Sequence, residues 1–165
     1  MTKEFIGKSK NGVVVYIERT RSHAASHFAE TPQLESLVKE IIAGCEVVGE
    51  SLRIEKNFGR VVGVTDLVEI HPGDTVIYAK RIDRDTYSPF VKNRSPQPTS
   101  YVTIKLQMED DKKYNLHTAY MGRLTPPIPG AKNETLESIR FWNTHALVRS
   151  TQVVVPGSET EWCPW

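Results

Sequence analysis

Cysteine is nearly missing from this chain, with only Cys45 and Cys163 among 165 residues. They stand far apart and outside any zinc or thiol-redox spacing, which disfavours a disulfide-built secreted fold and a structural zinc site, and a reducing compartment is expected. Long apolar runs are lacking too. No stretch approaches the roughly 20 residues that cross a bilayer. The opening Met-Thr-Lys-Glu-Phe has no signal-peptide core, so the expectation is a cytosolic protein, or a payload exported by another route, with no membrane partner. Neither sign of charge dominates: 21 Lys and Arg against 20 Asp and Glu leave a net charge of +1. That balance excludes a strongly cationic polyanion trap while leaving room for a local basic cluster. No phosphate-binding glycine loop, serine elbow, zinc motif, internal repeat or low-complexity tract occurs, and no cofactor or metal is implied.

What remains is an ordinary globular composition, long enough for one well-filled domain, and residues 1–165 are read as a single domain. Val13–Ile17 is a β-branched run suited to a buried strand. The polar stretch 18–30 follows, with His23 and His27 four apart. That spacing could align two metal ligands on a helix, but no third ligand accompanies them, and a solvated segment is the plainer reading. Thr31-Pro32 reads as a helix start, with Leu34, Leu37, Val38, Ile41 and Ile42 at helical spacing and Gly44 as the stop. Strands are expected over 51–56, 61–70, 75–82, 101–108 and 113–121, with turns at Asn57-Phe58-Gly59 and His71-Pro72-Gly73-Asp74. A second amphipathic helix is predicted from Leu136 through Ile139 and Trp142 to Ala146 and Leu147. The fold class is therefore α+β, an antiparallel sheet of four to six strands packed against one N-terminal and one C-terminal helix. Segments 18–30, 83–100 and 151–165 are expected to be flexible.

Chemical potential concentrates in Tyr114-Asn-Leu-His117-Thr118-Ala-Tyr120-Met-Gly122, the second strand of the predicted hairpin. Register decides which of these side chains share a face. If Asp110–Lys112 form the loop, Leu106 opposes Leu116, Ile104 opposes Thr118, and Lys105 opposes His117. A cation then sits beside an imidazole, a pair able to activate a ribose hydroxyl and stabilise a phosphorane. With a two-residue loop, Thr103 opposes Thr118, Tyr101 opposes Tyr120, and His117 turns away. A bulge near Ala119 could bring Tyr120 to the His117 side. The plainer reading of His117 is a half-buried strand histidine with a satisfied hydrogen bond.

Val102-Thr-Ile-Lys-Leu-Gln-Met108, the His117 strand and Pro126-Pro-Ile-Pro129 resemble the terminal hairpin of the barnase, EndoU, colicin-nuclease and RelE superfamily of small ribonucleases. EndoU-like members carry Thr-x-Tyr on the last strand, matched here by Thr118 and Tyr120. A basic dipeptide upstream in phage-associated and toxin branches is matched by Lys80-Arg81. The resemblance spans about Gly59 to Pro129 and implies metal-independent cleavage of RNA by attack of the 2′-hydroxyl on the adjacent phosphate. RNA is then the expected partner, with an inhibitor or immunity protein as a second. The chain departs from EndoU-like enzymes in lacking two histidines ahead of the hairpin, since His71 stands alone in a turn. The resemblance also directs Thr118 and Tyr120 to the substrate, whereas apolar matching directs His117 there, so both arrangements stay open.

The candidate catalytic set is His117, Thr118, Tyr120, Arg81 and Lys80, with the Arg81 guanidinium suited to bidentate phosphate contact. The candidate substrate-binding set is Lys105, Lys92, Arg94, Tyr87 and Phe90, the aromatics being available to stack on bases. Lys80-Arg81 reads equally well as a solvated strand end paired with Asp83 or Asp85. His145 beside an apolar helix face, and Asp66, Glu69 and Asp74 around turns, read more simply as structural. The rival function is a non-catalytic RNA- or protein-binding module on the same scaffold, which the near-zero net charge and missing histidine pair favour. A structural or regulatory phage-related protein with a degenerate site is a third reading.

Overall fold

A computed structural model describes residues 3–20, 22–82 and 84–165, with only the backbone of His23. The chain is α+β. In order its elements are β1 (Lys3–Lys8), β2 (Val14–Glu18), α1 (His23–Glu30), α2 (Gln33–Gly44), β3 (Ser51–Asn57), β4 (Gly63–Thr65), β5 (Leu67–Glu69) and β6 (Val76–Lys80). There follow β7 (Tyr87–Val91), β8 (Gln97–Thr99), β9 (Tyr101–Asp110), β10 (Lys113–Met121), α3 (Leu136–Trp142) and β11 (His145–Val148). Two compact units form, Met1–Gly63 with Thr99–Leu124, and Val64–Pro98 with Thr125–Trp165. Instead of one antiparallel sheet, the described residues form three, of five, four and two strands. Each larger sheet contains one parallel pair, β2 with β10 and β7 with β11. No helix among the described residues is long and apolar enough to cross a membrane.

In the first unit the sheet order is β1-β2-β10-β9-β3. Strand alternation sends Ile6, Val15, Ile17, Val102, Ile104, Leu106, Tyr114, Leu116 and Ala119 to one face, all nearly or fully buried. Helices α1 and α2 cover that face. The spacing of Leu34, Leu37, Val38, Ile41 and Ile42 correctly marks the buried side of α2. The Thr31 hydroxyl does not cap it; Pro32 holds the cap position, and the Thr31 carbonyl accepts from Leu34 N–H at 3.0 Å. The 18–30 stretch is not an irregular solvated segment. Ser22 Oγ accepts from Ala24 N–H and donates to the Leu116 carbonyl, so one hydroxyl starts α1 and ties it to β10. Ala24 and Phe28, four apart, are the buried side of this short helix.

The second unit holds the sheet β5-β11-β7-β6. Its central strand β7 lies inside the segment expected to be a loop because of its prolines. Tyr78, opposite Pro89, directs its N–H and its carbonyl to Thr160, both at 2.8 Å. Tyr78 and Pro89 therefore form a non-hydrogen-bonded pair, and proline's missing N–H costs the ladder nothing there. On the other side, pairing with β11 begins only at Phe90.

The tail, residues 151–165, covers the outer edge of β6. Val155 N–H donates to the Lys80 carbonyl at 2.8 Å and Lys80 N–H donates to Ser158 Oγ at 3.1 Å. Trp165 packs edge-on against Tyr78 at 5.3 Å and donates its indole N–H to Asn143 Oδ1 at 2.9 Å. Burial first, and the Cys163 thiol second, push the Tyr78 phenol up to about 12. The predicted C-terminal helix stops at Trp142; Ala146 and Leu147 belong to strand β11, alternating buried and half-buried.

Two polar clusters lock local geometry. Arg94 Nη1 donates to Asp74 Oδ2 at 2.8 Å and to the Glu69 carbonyl at 3.3 Å, while the same Asp74 oxygen accepts from His71 N–H at 2.7 Å. Arg19 bridges Glu4 and Glu35, and its hydrogen bonds are the main reason both carboxyls sit below the ordinary carboxylate range.

Arg94→Ala strands a mostly buried Asp74 carboxylate, so a loss of about 1–3 kcal/mol is expected, read as a lower urea midpoint at unchanged slope. For Glu4 and Glu35 the folded pKa lies below the unfolded one. Their stabilisation is therefore complete above about pH 5 and disappears as pH falls through the lowered values. Urea midpoints measured between pH 6 and pH 3 should fall less steeply in Arg19→Ala than in the parent.

Candidate functional site

The centre of the first unit's sheet is the β9–β10 hairpin. Lys113 opposes Asp110, and from Tyr114 onward the register shifts by one, so Leu116 opposes Leu106 as apolar matching predicts. A second shift lies between Leu116 and Thr118. His117 is the extra residue of a β-bulge: His117 and Thr118 stand together against the single residue Lys105. Beyond it Ala119 opposes Ile104 and Tyr120 opposes Thr103. Three expectations are thereby corrected. Lys105 pairs with Thr118 rather than His117, and Ile104 pairs with Ala119 rather than Thr118. The bulge falls at His117, not near Ala119.

The consequence is chemical. Opposed residues on one face have Cβ atoms about 4.5–5.5 Å apart, within reach of one ligand group. Thr118, Tyr120, Lys105 and Thr103 occupy the face turned away from the helices, joined across β3 by Arg53 opposite Lys105 and Glu55 opposite Thr103. His117 is exposed, Arg53 is exposed, and Lys105, Thr118 and Tyr120 are half-buried. Among the described residues neither Lys105 nor Arg53 makes a salt bridge. Thr103 is buried and donates its hydroxyl to the Gly122 carbonyl at 2.9 Å, which fixes the end of β10 beside Tyr120. At one end of the face Arg123 lies over the Tyr101 ring at 4.6 Å. At the other, Lys113 lies over Tyr16 at 5.0 Å and Glu109 accepts from Lys3 at 2.6 Å.

The remaining sequence candidates belong to the second unit. Lys80 places its ammonium over the Tyr87 ring at 5.3 Å, and Arg81 sits at a backbone bridge to Val154. Phe90 is fully buried in the apolar cluster with Ile77 and Ala79, so it has no face to offer a base. Arg94 is committed to Asp74, and Lys92 is exposed. Asp83, the suggested partner of Lys80-Arg81, and the His23 side chain of the two-histidine idea lie outside the described residues. His71 holds its turn, and His145 stacks on Phe141 at 4.0 Å, both structural roles. Asp66 accepts from Gln152 Nε2 at 2.7 Å, consistent with its structural reading. Among the described residues no three of His, Cys, Asp and Glu gather in a way that could hold a metal ion. Arg53 and Arg123 were missed by sequence reasoning. The alternation Ser51, Arg53, Glu55 against Leu52 and Ile54 is the signal that places Arg53 on the polar face.

The chain matches no protein-family model, no curated protein and no solved structure.

Because His117 is the residue in excess, deleting it should let Thr118 take the position opposite Lys105 with Ala119 and Met121 still facing the core. The deletion is expected to fold, with Tm within about 5 °C of the parent. Deleting Leu116 instead should remove a core side chain and abolish the cooperative melt.

Proposed function

We propose that the protein is a metal-independent endoribonuclease of the barnase, EndoU, colicin-nuclease and RelE kind, with its site on the polar face of the five-stranded sheet. The observation that carries the reading is the bulge that sets His117 and Thr118 together against Lys105, with Tyr120 next along the same face. In this reading the His117 imidazole takes the proton of a ribose 2′-hydroxyl, and the O2′–P bond forms as the P–O5′ bond breaks. The departing 5′ oxygen takes its proton from water. Lys105, with Arg53 across the next strand, stabilises the charge that builds on the phosphorane oxygens. Thr118 and Tyr120 hydroxyls hold the phosphate or ribose in line. The reading uses residues of the first unit alone.

A second reading, binding of RNA without cleavage, is favoured by the lack, among the described residues, of a partner imidazole on this face. The other histidines whose side chains are described stand on α1, in the His71 turn and against Phe141.

Purified protein incubated with RNA in EDTA should yield fragments ending in 2′,3′-cyclic phosphate and 5′-hydroxyl. His117→Ala is expected to lower kcat by about 10²–10⁴-fold, and Lys105→Met by a comparable factor. RNA that is bound but stays intact across single-stranded and structured substrates would leave only the binding reading.

A further inference from the structure

The polar face of the first unit carries two cation–aromatic stacks, one on each side of Lys105. On one side, Arg123 lies over the Tyr101 ring at 4.6 Å, and its side chain is 62% exposed. On the other, Lys113 lies over Tyr16 at 5.0 Å, with Phe5 edge-on to Tyr16 at 6.3 Å and 58% exposed. The ladder gives their spacing. Tyr101 is four residues from Lys105 along β9, about 13 Å at the usual rise. Tyr16 opposes Asn115, which opposes Gln107, two residues beyond Lys105 in the other direction. Two strand spacings across and two residues along make about 12 Å.

We propose that these stacks are the base-holding platforms of a single-stranded RNA site, with the phosphate between them delivered to Lys105 and His117. The inference rests on the ribonuclease reading and adds its substrate class. Each stack supplies what an unpaired nucleotide needs: a flat ring or guanidinium plane for the base, and a cation beside it for the phosphate, Arg123 being shared with Glu55 Oε1 at 3.4 Å. Together they span about 22 Å of the face, a length suited to the roughly four nucleotides at the lower end of single-strand site sizes. A duplex keeps its bases stacked inward and has none to lend to either ring. Tyr16 and Tyr101 therefore take the place of Tyr87 and Phe90 as the stacking residues.

The test is fluorescence anisotropy of a labelled uridine octamer, a uridine dinucleotide and an RNA duplex of the octamer's length, with cleavage suppressed by His117→Ala in every protein. The octamer should bind at least about tenfold more tightly than the dinucleotide or the duplex. Adding Tyr16→Ala or Tyr101→Ala should weaken octamer binding about tenfold each, while Tyr16→Phe stays within about twofold. If either alanine variant fails to fold by circular dichroism, Lys113→Gln and Arg123→Gln carry the test, with a loss of at least threefold expected. Octamer binding that is indifferent to these changes, or a duplex bound as tightly, overturns the two-platform site, and the ribonuclease reading then stands on the cleavage assay alone. A protein that neither binds nor cleaves any RNA overturns both, and binding only of extended peptides would assign the face to a protein partner instead.

Discussion

Leu116 and Ala119 both have to face the helices, and a regular strand cannot do that. They are three residues apart, an odd number, and alternation puts odd neighbours on opposite faces. Across the hairpin, Leu106 and Ile104 are two apart and both fully buried, so one strand places the single residue Lys105 where the other places two, His117 and Thr118. The mismatch is absorbed by making His117 a bulge. Burial of these four side chains thus decides where the imidazole goes. Each large apolar side chain contributes about 1.5–3 kcal/mol on burial, far more than the local disruption of one ladder position. The register that sets His117 and Thr118 against Lys105 is in this sense a by-product of core packing on the other face of the same two strands.

The same logic bears on the conflict of faces between His117 and the Thr118–Tyr120 pair that the sequence alone leaves open. Without a bulge, adjacent strand residues point to opposite faces and only one arrangement can serve a site. With it, two neighbours stand in register against one lysine, and Tyr120 shares the face of Thr118. The signal was present in the spacing of Tyr114, Leu116, Ala119 and Met121, whose step from two to three and back to two marks an inserted residue. Reading the strand as strictly alternating is what hid it.

In the second unit, pairing rather than propensity decides the architecture. Prolines make residues 83–100 read as a loop, yet β7 is a central strand because Pro89 falls at a position where no N–H is asked of it. The tail behaves likewise. Nothing in the sequence of residues 151–165 announces a strand, but the outer edge of β6 offers unpaired backbone groups, and the tail satisfies them. Arg94 shows the corresponding effect on a charged residue. A guanidinium in a basic, proline-containing stretch reads as a phosphate contact until a half-buried carboxylate and a carbonyl are found to hold it.

Local pattern by itself determined the α+β class, the whole buried side of α2, the hairpin strands and the turns at Gly59 and Gly73, because helical periodicity, strand alternation and turn chemistry are properties of a few consecutive residues. The tertiary structure decided the division into two units, the parallel neighbours, the short helix α1, the strand character of His145–Val148 and the face on which each candidate residue stands. Those depend on which backbone edges find partners and which side chains must be buried together, and such pairings join residues up to a hundred positions apart that no local window compares.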